Sequence, residues 1–99
     1  RDYFYIKDGA SSVYKAITDR SNNRIYNISS NKGLSINQIL ERFRRVLKLE
    51  FDVKYLPARK FDVKANVLDN RLAAQYLKWK PIYSFNEGLK NTWRYFLDN

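Results

Sequence analysis

A helix-start signal at Ser35 is the sharpest local feature of this sequence. Ser35 and Gln38 have the spacing of a capping box, in which each side chain accepts a hydrogen bond from a backbone N–H group that the helix leaves free. The residues that follow place apolar side chains at helical spacing: Ile36, Ile39, Leu40, Phe43 and Leu47. The pattern predicts an amphipathic helix that packs one face against the rest of the domain.

Three further helices are predicted from start and stop signals. Their cap residues are Asp8, either Asp69 or Asn70, and Ser84. The first of these helices presents Val13, Ala16 and Ile17 on one face. The last opens with a second capping box, formed by Ser84 and Glu87. We therefore expect about four helices in all.

Aromatic and β-branched residues concentrate between the predicted helices. The richest stretches are residues 1–6, 24–28 and 51–56, which we predict as strands, and the shorter stretch 66–68. Pro57 ends the third strand, because proline supplies no donor to a ladder. The sequence thus predicts one mixed α/β (α+β) domain over residues 1–99, built of short strands and about four helices. Within it, we expect Trp79 and Trp93 in the core.

The chain has 99 residues, of which 44% are hydrophobic and 16% aromatic. This composition suits one small folded domain better than a disordered segment. No apolar run approaches the roughly 20 residues that span a bilayer, so we expect no membrane partner. The lack of cysteine fits a cytoplasmic protein. The first residue is not methionine, and we expect the chain to be a piece of a longer translation product.

The sequence contains neither cysteine nor histidine. Disulfides, thiolate zinc sites and the Ser–His–Asp and Cys–His arrangements are therefore excluded. No Gly-rich turn follows a predicted strand, so neither a dinucleotide fingerprint nor a P-loop is present. We predict no catalytic residue, no metal ligand and no cofactor-binding residue within this chain.

The loop over residues 57–63 holds one pairing that suggests a ligand. Arg59 can direct two N–H groups at a phosphate. The carboxylate of Asp62 can accept hydrogen bonds from a ribose diol. Together they suit a nucleoside diphosphate, although spacing alone leaves a solvated basic loop as the alternative.

The formal net charge is +9, which attracts polyanions. A surface with excess lysine and arginine explains this charge equally well. The same alternatives apply to the outer stripe of the helix after Ser35, which we interpret as solvated, with a partner subunit or an anionic surface as the alternative. The stripe consists of Arg42, Arg44, Arg45 and Lys48.

Six motifs follow one another in order along the chain. They are Arg1-Asp2-Tyr3 with Tyr5-Ile6 and Asp8; Tyr26-Asn27-Ile28-Ser29-Ser30 with Gly33 and Ser35; Pro57 to Asp62; Val67-Leu68-Asp69; Leu77-Lys78-Trp79-Lys80-Pro81; and Ser84-Phe85-Asn86-Glu87-Gly88-Leu89. In this order they resemble the NAD-dependent nucleotide-sugar epimerases and dehydratases of the extended short-chain dehydrogenase family, with UDP-glucose 4-epimerase the nearest type. The resemblance covers the whole chain.

This resemblance implies that the chain is the C-terminal lobe of such an enzyme, without its Rossmann domain. In that family the Rossmann domain binds NAD and supplies a catalytic Tyr-x-x-x-Lys pair, so we expect the isolated chain to be inactive. The family's phosphate-binding arginines correspond to Arg59 and Arg1, and its ribose-binding carboxylate to Asp62. Tyr3 would line the same pocket. The implied partners are a UDP-sugar, the protein's own Rossmann domain and a second subunit in a homodimer.

Other interpretations stay open at this point. A dehydratase or reductase of the same family would share these motifs. A stand-alone basic module for nucleic acid would use the +9 charge, and affinity that falls steeply with salt would identify it. A role mainly in subunit assembly is a further alternative.

Several residues depart from the family pattern. Ser29, Ser30 and Asn31 occupy a stretch where the family has Gly-Ser-Gly, and Phe61 stands where many members have Gly. Lys78 replaces the Gly before the tryptophan, where a helix end often needs a left-handed residue. We therefore expect Lys78 either to adopt that conformation or to end the helix differently.

Overall fold

A computed structural model describes residues 1–23 and 25–99. Over these residues it contains four helices: α1 (Ile6–Ile17), α2 (Ile36–Leu47), α3 (Arg71–Tyr76) and α4 (Phe85–Asp98). The four predicted helices are confirmed. The predicted α/β class is wrong, since no strand occurs in the part of the chain that the structure describes. None of the described helices is long and apolar enough to cross a membrane.

Within residues 1–23 and 25–99, the stretches predicted as strands do not pair with one another. Of the stretch 24–28, Arg24 lies outside the described residues, and residues 25–28 form neither helix nor strand. Arg1 and Leu34 do exchange two hydrogen bonds, from the Leu34 N–H to the Arg1 carbonyl at 2.8 Å and from the Arg1 amino group to the Leu34 carbonyl at 2.9 Å. This single pair does not extend into a ladder among the described residues, and a ladder is what defines a sheet.

The stretch 51–56 lies along α2 rather than beside another strand. The hydroxyl of Tyr55 donates to Asn37 Oδ1 at 2.8 Å, and Nη2 of Arg44 donates to the carbonyl of Phe51 at 3.3 Å. The guanidinium of Arg44 also sits 4.8 Å from the centre of the Phe51 ring. Alternating apolar residues indicate one covered face, but here Phe51 contacts a helix in place of a neighbouring strand, and Tyr55 stays 73% exposed.

The predicted cap residues Ser35 and Ser84 accept capping hydrogen bonds at the starts of α2 and α4, two helices that pack against each other. At α2 the capping box is complete: Ser35 Oγ accepts from the Gln38 N–H at 3.1 Å, and Gln38 Oε1 accepts from the Ser35 N–H at 2.8 Å. At α4, Ser84 Oγ accepts from the Glu87 N–H at 3.1 Å. These caps depend only on residues three apart, which explains why the sequence located them.

The predicted cap of α1 is wrong. The helix begins at Ile6, with Tyr5 as a cap residue whose side chain makes no capping bond. Asp8 instead lies inside the first turn, is only 1% exposed, and accepts from the backbone N–H groups of Ile82 at 3.0 Å and Tyr83 at 3.2 Å. The carboxylate therefore fixes the segment before α4 against the start of α1.

The buried core is small and centres on Trp79. It consists of Ala73, Leu77 and Trp79, with Tyr26 and Ile28 packed against it. The Trp79 indole N–H donates to the carbonyl of Asp8 at 2.9 Å and to Ser11 Oγ at 3.0 Å, which satisfies its only donor. The predicted core position of Trp79 is confirmed, whereas Trp93 is only half-buried.

Candidate functional site

A tight turn brings the predicted binding pair together. The N–H of Asp62 donates to the carbonyl of Arg59 at 3.2 Å and closes the turn. The two side chains then form a fork, with 3.0 Å between Arg59 Nε and Asp62 Oδ2 and 3.0 Å between Arg59 Nη2 and Asp62 Oδ1. The structure therefore confirms that the two groups are neighbours, as the spacing of three residues suggested.

This pair is accessible from solvent. The side chain of Arg59 is 68% exposed and that of Asp62 is 42% exposed. An exposed ion pair of this kind contributes only about 0.2–1 kcal/mol, so a ligand can displace it at little cost. The ring of Phe61 lies 5.2 Å from the Arg59 guanidinium carbon and helps to hold it in place.

The fork still leaves both groups able to bind a ligand. A guanidinium has five N–H donors, and the contact with Asp62 uses the edge formed by Nε and Nη2. The donors on Nη1 stay available for a phosphate oxygen. An ionised carboxylate has about four lone-pair sites, so Asp62 can accept from hydroxyl groups while it holds Arg59. The arrangement is suited to a molecule that carries a phosphate and a diol side by side.

The sequence also predicts Arg1 and Tyr3 at this site. No hydrogen bond or ion pair within the described ranges joins the side chains of Arg1 or Tyr3 to Arg59 or Asp62. Tyr3 lines a cleft of about 400 Å³ whose walls include neither Arg59 nor Asp62. That cleft is lined by the aromatic residues Tyr3, Phe4, Tyr83 and Phe85 and the cations Lys32 and Arg42, among others. That Arg1 and Tyr3 contribute to one pocket with Arg59 stays a prediction.

Asp2 has a positioning role that the sequence interpretation missed. Its carboxylate accepts from the Ser30 N–H at 2.8 Å and from the Asn31 N–H at 3.1 Å. Asn31 has a φ of 64°, the left-handed conformation expected where the family has Gly. Asp2 thus holds the loop before α2 against the segment that carries Arg1 and Tyr3. The sequence feature that could have indicated this role is the position of Asp2 between Arg1 and Tyr3, two predicted ligand-binding residues.

A second exposed Arg–Asp pair shows that an ion pair of this kind does not by itself indicate a ligand-binding site. Arg71 Nη2 lies 2.7 Å from Asp69 Oδ2, and the hydrogen bond from Arg71 lowers the pKa of Asp69 below its ordinary value of 3.8. Asp69 also accepts from the Arg71 backbone N–H at 2.9 Å, at the start of α3. This pair has a local structural role, so it serves as a chemically matched reference for Arg59 and Asp62.

The glycines of this chain do not form a cradle for a dinucleotide. Gly9 and Gly88 lie inside helices. Gly33 precedes α2, but a Cβ placed there would come within 2.7 Å of Val67 Cγ2. The Val67 side chain therefore already occupies the space in which a phosphate would approach the Gly33 backbone. The residues present therefore do not fit NAD.

Comparisons with known proteins give a consistent picture. No family model matches the chain. A UDP-glucuronate 4-epimerase from Thermodesulfobacterium geofontis is 34% identical over the whole chain, which spans 31% of that protein. A UDP-glucose 4-epimerase from Rhizobium meliloti is 24% identical over 96% of the chain, or 30% of its own length.

Solved structures agree with these relatives. The crystal structure of Thermotoga maritima UDP-glucose 4-epimerase with UDP-glucose matches with a TM-score of 0.91 and 33% identity over 99% of this chain and 31% of that one. The Bordetella bronchiseptica enzyme WbmF, in complex with NADH, has the same fold over the chain at a TM-score of 0.81 and 23% identity.

The chain thus spans about 30% of the length of the relatives it matches, and the match falls in their C-terminal part. The resemblance that the motifs suggested is confirmed by both sequence and fold. The chain is therefore similar, in both sequence and fold, to the C-terminal region of nucleotide-sugar 4-epimerases.

Proposed function

We propose that this chain is the substrate-binding portion of an NAD-dependent UDP-sugar 4-epimerase, and that it holds the UDP group while a preceding domain performs the epimerisation. The observation that carries the proposal is the exposed fork between Arg59 and Asp62. Relatives named UDP-glucose and UDP-glucuronate 4-epimerases match 96% and 100% of the chain, which supports the choice of a UDP-sugar.

Within this proposal, Arg59 binds the diphosphate and Asp62 accepts hydrogen bonds from the ribose. Arg1 adds a second positive charge near the phosphates, and Tyr3 lines the pocket. These contacts are remote from the sugar carbon that reacts. Binding energy gained there orients the sugar and so contributes to the rate of a step in which none of these residues takes part.

The chemistry itself belongs to the preceding domain in this proposal. That domain holds NAD, which supplies the hydride acceptor for the sugar, and the catalytic tyrosine and lysine. The 99 residues lack both histidine and cysteine, and we expect them to be inactive alone. We further propose that the intact enzyme is a cytoplasmic homodimer.

Calorimetric titration of the intact protein with UDP and with uridine tests the roles of the pair. Arg59→Ala should weaken UDP binding by roughly 10- to 100-fold, because a charge-assisted hydrogen bond to phosphate is lost. It should leave uridine binding unchanged, because uridine has no phosphate. Asp62→Ala should weaken both ligands, since both carry the ribose diol.

The matched control is Arg71→Ala, which removes the guanidinium of the other exposed Arg–Asp pair. It should leave both affinities unchanged. Equal losses in Arg59→Ala and Arg71→Ala would show that bulk charge, and not this site, attracts UDP. Arg59→Lys should restore only part of the affinity, because lysine binds phosphate as a point charge without the fork.

Product analysis addresses the alternatives. UDP-glucose converted into its 4-epimer supports the proposal, whereas a dehydrated or reduced sugar nucleotide would assign the protein to another branch of the family. A nucleic-acid module would instead bind oligonucleotides with an affinity that falls steeply between two salt concentrations and is insensitive to UDP.

A further inference from the structure

The cleft of about 400 Å³ beside the start of α4 has an unbalanced positive charge. We call it the aromatic cleft; its walls carry two cations, Lys32 and Arg42, and no carboxylate. A second cavity, of about 560 Å³ at the end of α2, is lined by two cations and two carboxylates, so its charges cancel. The aromatic cleft has the volume of a small-molecule site, and its charge attracts an anion.

Both cations of the aromatic cleft are available to an anion. Neither Lys32 nor Arg42 forms an ion pair with a carboxylate in the part of the chain that the structure describes. Arg42 Nη1 donates to Asn86 Oδ1 at 2.9 Å, and the guanidinium carbon lies 5.7 Å from the centre of the Phe85 ring. These contacts hold the guanidinium in place, while the hydrogen bond uses one of its five N–H donors. The remaining donors can bind a phosphate.

The aromatic walls of the cleft are held by packing against other rings. The ring of Phe4 packs edge-on against Trp79, with 6.2 Å between the ring centres, and Trp79 is buried. The ring of Tyr83 packs edge-on against Tyr5 at 4.8 Å. Rings fixed in this way lose little conformational freedom when a planar ligand stacks on them. Any nucleobase can stack on such a ring, because every base has a π-face.

We propose that the aromatic cleft binds a nucleotide, with its base against the aromatic walls and its phosphate at Lys32 and Arg42. A nucleotide combines the two properties that these walls select, a planar aromatic ring and a compact negative charge. The site is separate from the proposed UDP site, since neither Arg59 nor Asp62 lines the cleft. Tyr3 does line it, but the proposed function assigns Tyr3 to the UDP pocket, so the variants that test the cleft leave Tyr3 unchanged.

Hydrogen exchange of the intact protein, read by mass spectrometry, locates the bound nucleotide. The probes are the nucleoside 5′-monophosphates of adenine, guanine, cytosine and uracil, and the matching nucleosides. At least one monophosphate should slow exchange at residues 81–86, and the concentration that gives half of this effect measures its affinity. Its nucleoside should need a concentration roughly 10-fold or more higher, because it lacks the phosphate. If none of the monophosphates slows exchange at 81–86, the proposal is wrong.

Substitutions of the two cations test their role. Arg42→Gln should weaken the nucleotide roughly 10-fold or more, because the charge-assisted hydrogen bonds to phosphate are lost. Lys32→Gln should weaken it roughly 3-fold, and it provides the test should Arg42→Gln disturb the packing of α2 on α4. The matched control is Arg45→Gln, which removes another α2 arginine that does not line the cleft and should leave the affinity unchanged. Equal losses in Arg42→Gln and Arg45→Gln would assign the binding to bulk charge and overturn the proposal.

Two further probes separate a nucleotide from other anions. Inorganic phosphate should slow exchange at 81–86 only at concentrations roughly 10-fold or more above those of the nucleotide, because it has no base to stack. Equal potency would assign the cleft to a bare anion and overturn the proposal. An oligonucleotide that acts at far lower concentrations than any monophosphate, with an effect that falls steeply with salt, would assign the cleft to nucleic acid and also overturn it.

The loop 57–63 reports on the proposed function in the same experiment. UDP should slow exchange there, because the loop carries Arg59 and Asp62. A monophosphate effect at 81–86 without any UDP effect at 57–63 would retain the aromatic cleft as a nucleotide site and remove the proposed function. A UDP effect at 57–63 with no response of 81–86 to any nucleotide would do the reverse.

Discussion

Asp8 and Asp62 are both carboxylates within three residues of an aromatic side chain, yet their surroundings differ completely. Asp8 is 1% exposed and binds two backbone N–H groups of the segment before α4. Asp62 is 42% exposed, and among the described residues its carboxylate binds a neighbouring arginine in its own turn. Asp8 therefore joins distant parts of the chain, whereas the contact of Asp62 lies within its own turn.

This contrast separates a structural carboxylate from a candidate binding carboxylate. A buried acid whose oxygens are saturated by backbone donors is committed to the fold, because its removal leaves those donors unpaired. An exposed acid in a weak ion pair is free to exchange its partner for a ligand. The difference predicts that variants near Asp8 change stability, whereas variants near Asp62 change ligand affinity.

Asp8→Ala gives the largest expected effect. It should lower the free energy of unfolding by about 2–4 kcal/mol, because two backbone donors lose their acceptor. Asp62→Ala should lower it by less than about 1 kcal/mol. Urea denaturation followed by tryptophan fluorescence reports both values, since Trp79 bonds directly to the carbonyl of Asp8. Similar losses in the two variants would remove the distinction.

Two glycines inside helices, Gly88 and Gly9, differ in how closely other residues pack against them. A Cβ at Gly88 would lie 2.9 Å from Tyr5 Cβ, whereas one at Gly9 would lie 3.4 Å from Phe4 Cε2, an ordinary contact. Gly88→Ala should therefore destabilise by about 1–2 kcal/mol despite better helix propensity, and Gly9→Ala should stabilise by up to about 1 kcal/mol. Thermal unfolding of the two variants distinguishes close packing from propensity alone.

Lys78→Gly should produce a gain in stability no larger than that of Gly9→Ala. Lys78 has a φ of 53° just after α3, so the lysine adopts the left-handed conformation that the family's glycine would adopt freely. Glycine should raise the melting temperature and stabilise by up to about 1 kcal/mol, because the strain of a Cβ in that region is removed. The Lys78 carbonyl that accepts from Lys15 is unaffected by the change. No gain at all would indicate that the lysine side chain compensates for the strain.

The smallest expected effect depends on pH. The hydrogen bond from Tyr26 lowers the pKa of Asp19 below its ordinary value of 3.8. The stability that this contributes is therefore complete above the ordinary value and is lost as pH falls through the lowered one. Tyr26→Phe should reduce this acid-side loss in a series of denaturation curves. Tyr55→Phe, whose hydroxyl donates to an asparagine, should leave the pH profile unchanged.

Features that depend on neighbours in the chain were available from the sequence. The capping box at Ser35, the position of four helices and the approach of Arg59 to Asp62 all involve residues three or four apart. Such contacts form within one turn of backbone, so their geometry is nearly set by spacing and residue type. The motif order likewise identified the family without reference to any contact.

Features that depend on distant partners were decided only by the tertiary structure. Asp8 reads as a helix cap in the sequence, but its partners are 74 and 75 residues away. The strand predictions failed because alternation indicates one covered face and not what covers it. Likewise, nothing in the local sequence explains a glycine at position 88 or an apolar face of α1 that points outward. Residue type and spacing fix which groups can interact locally, whereas long-range packing selects which of those options the chain adopts.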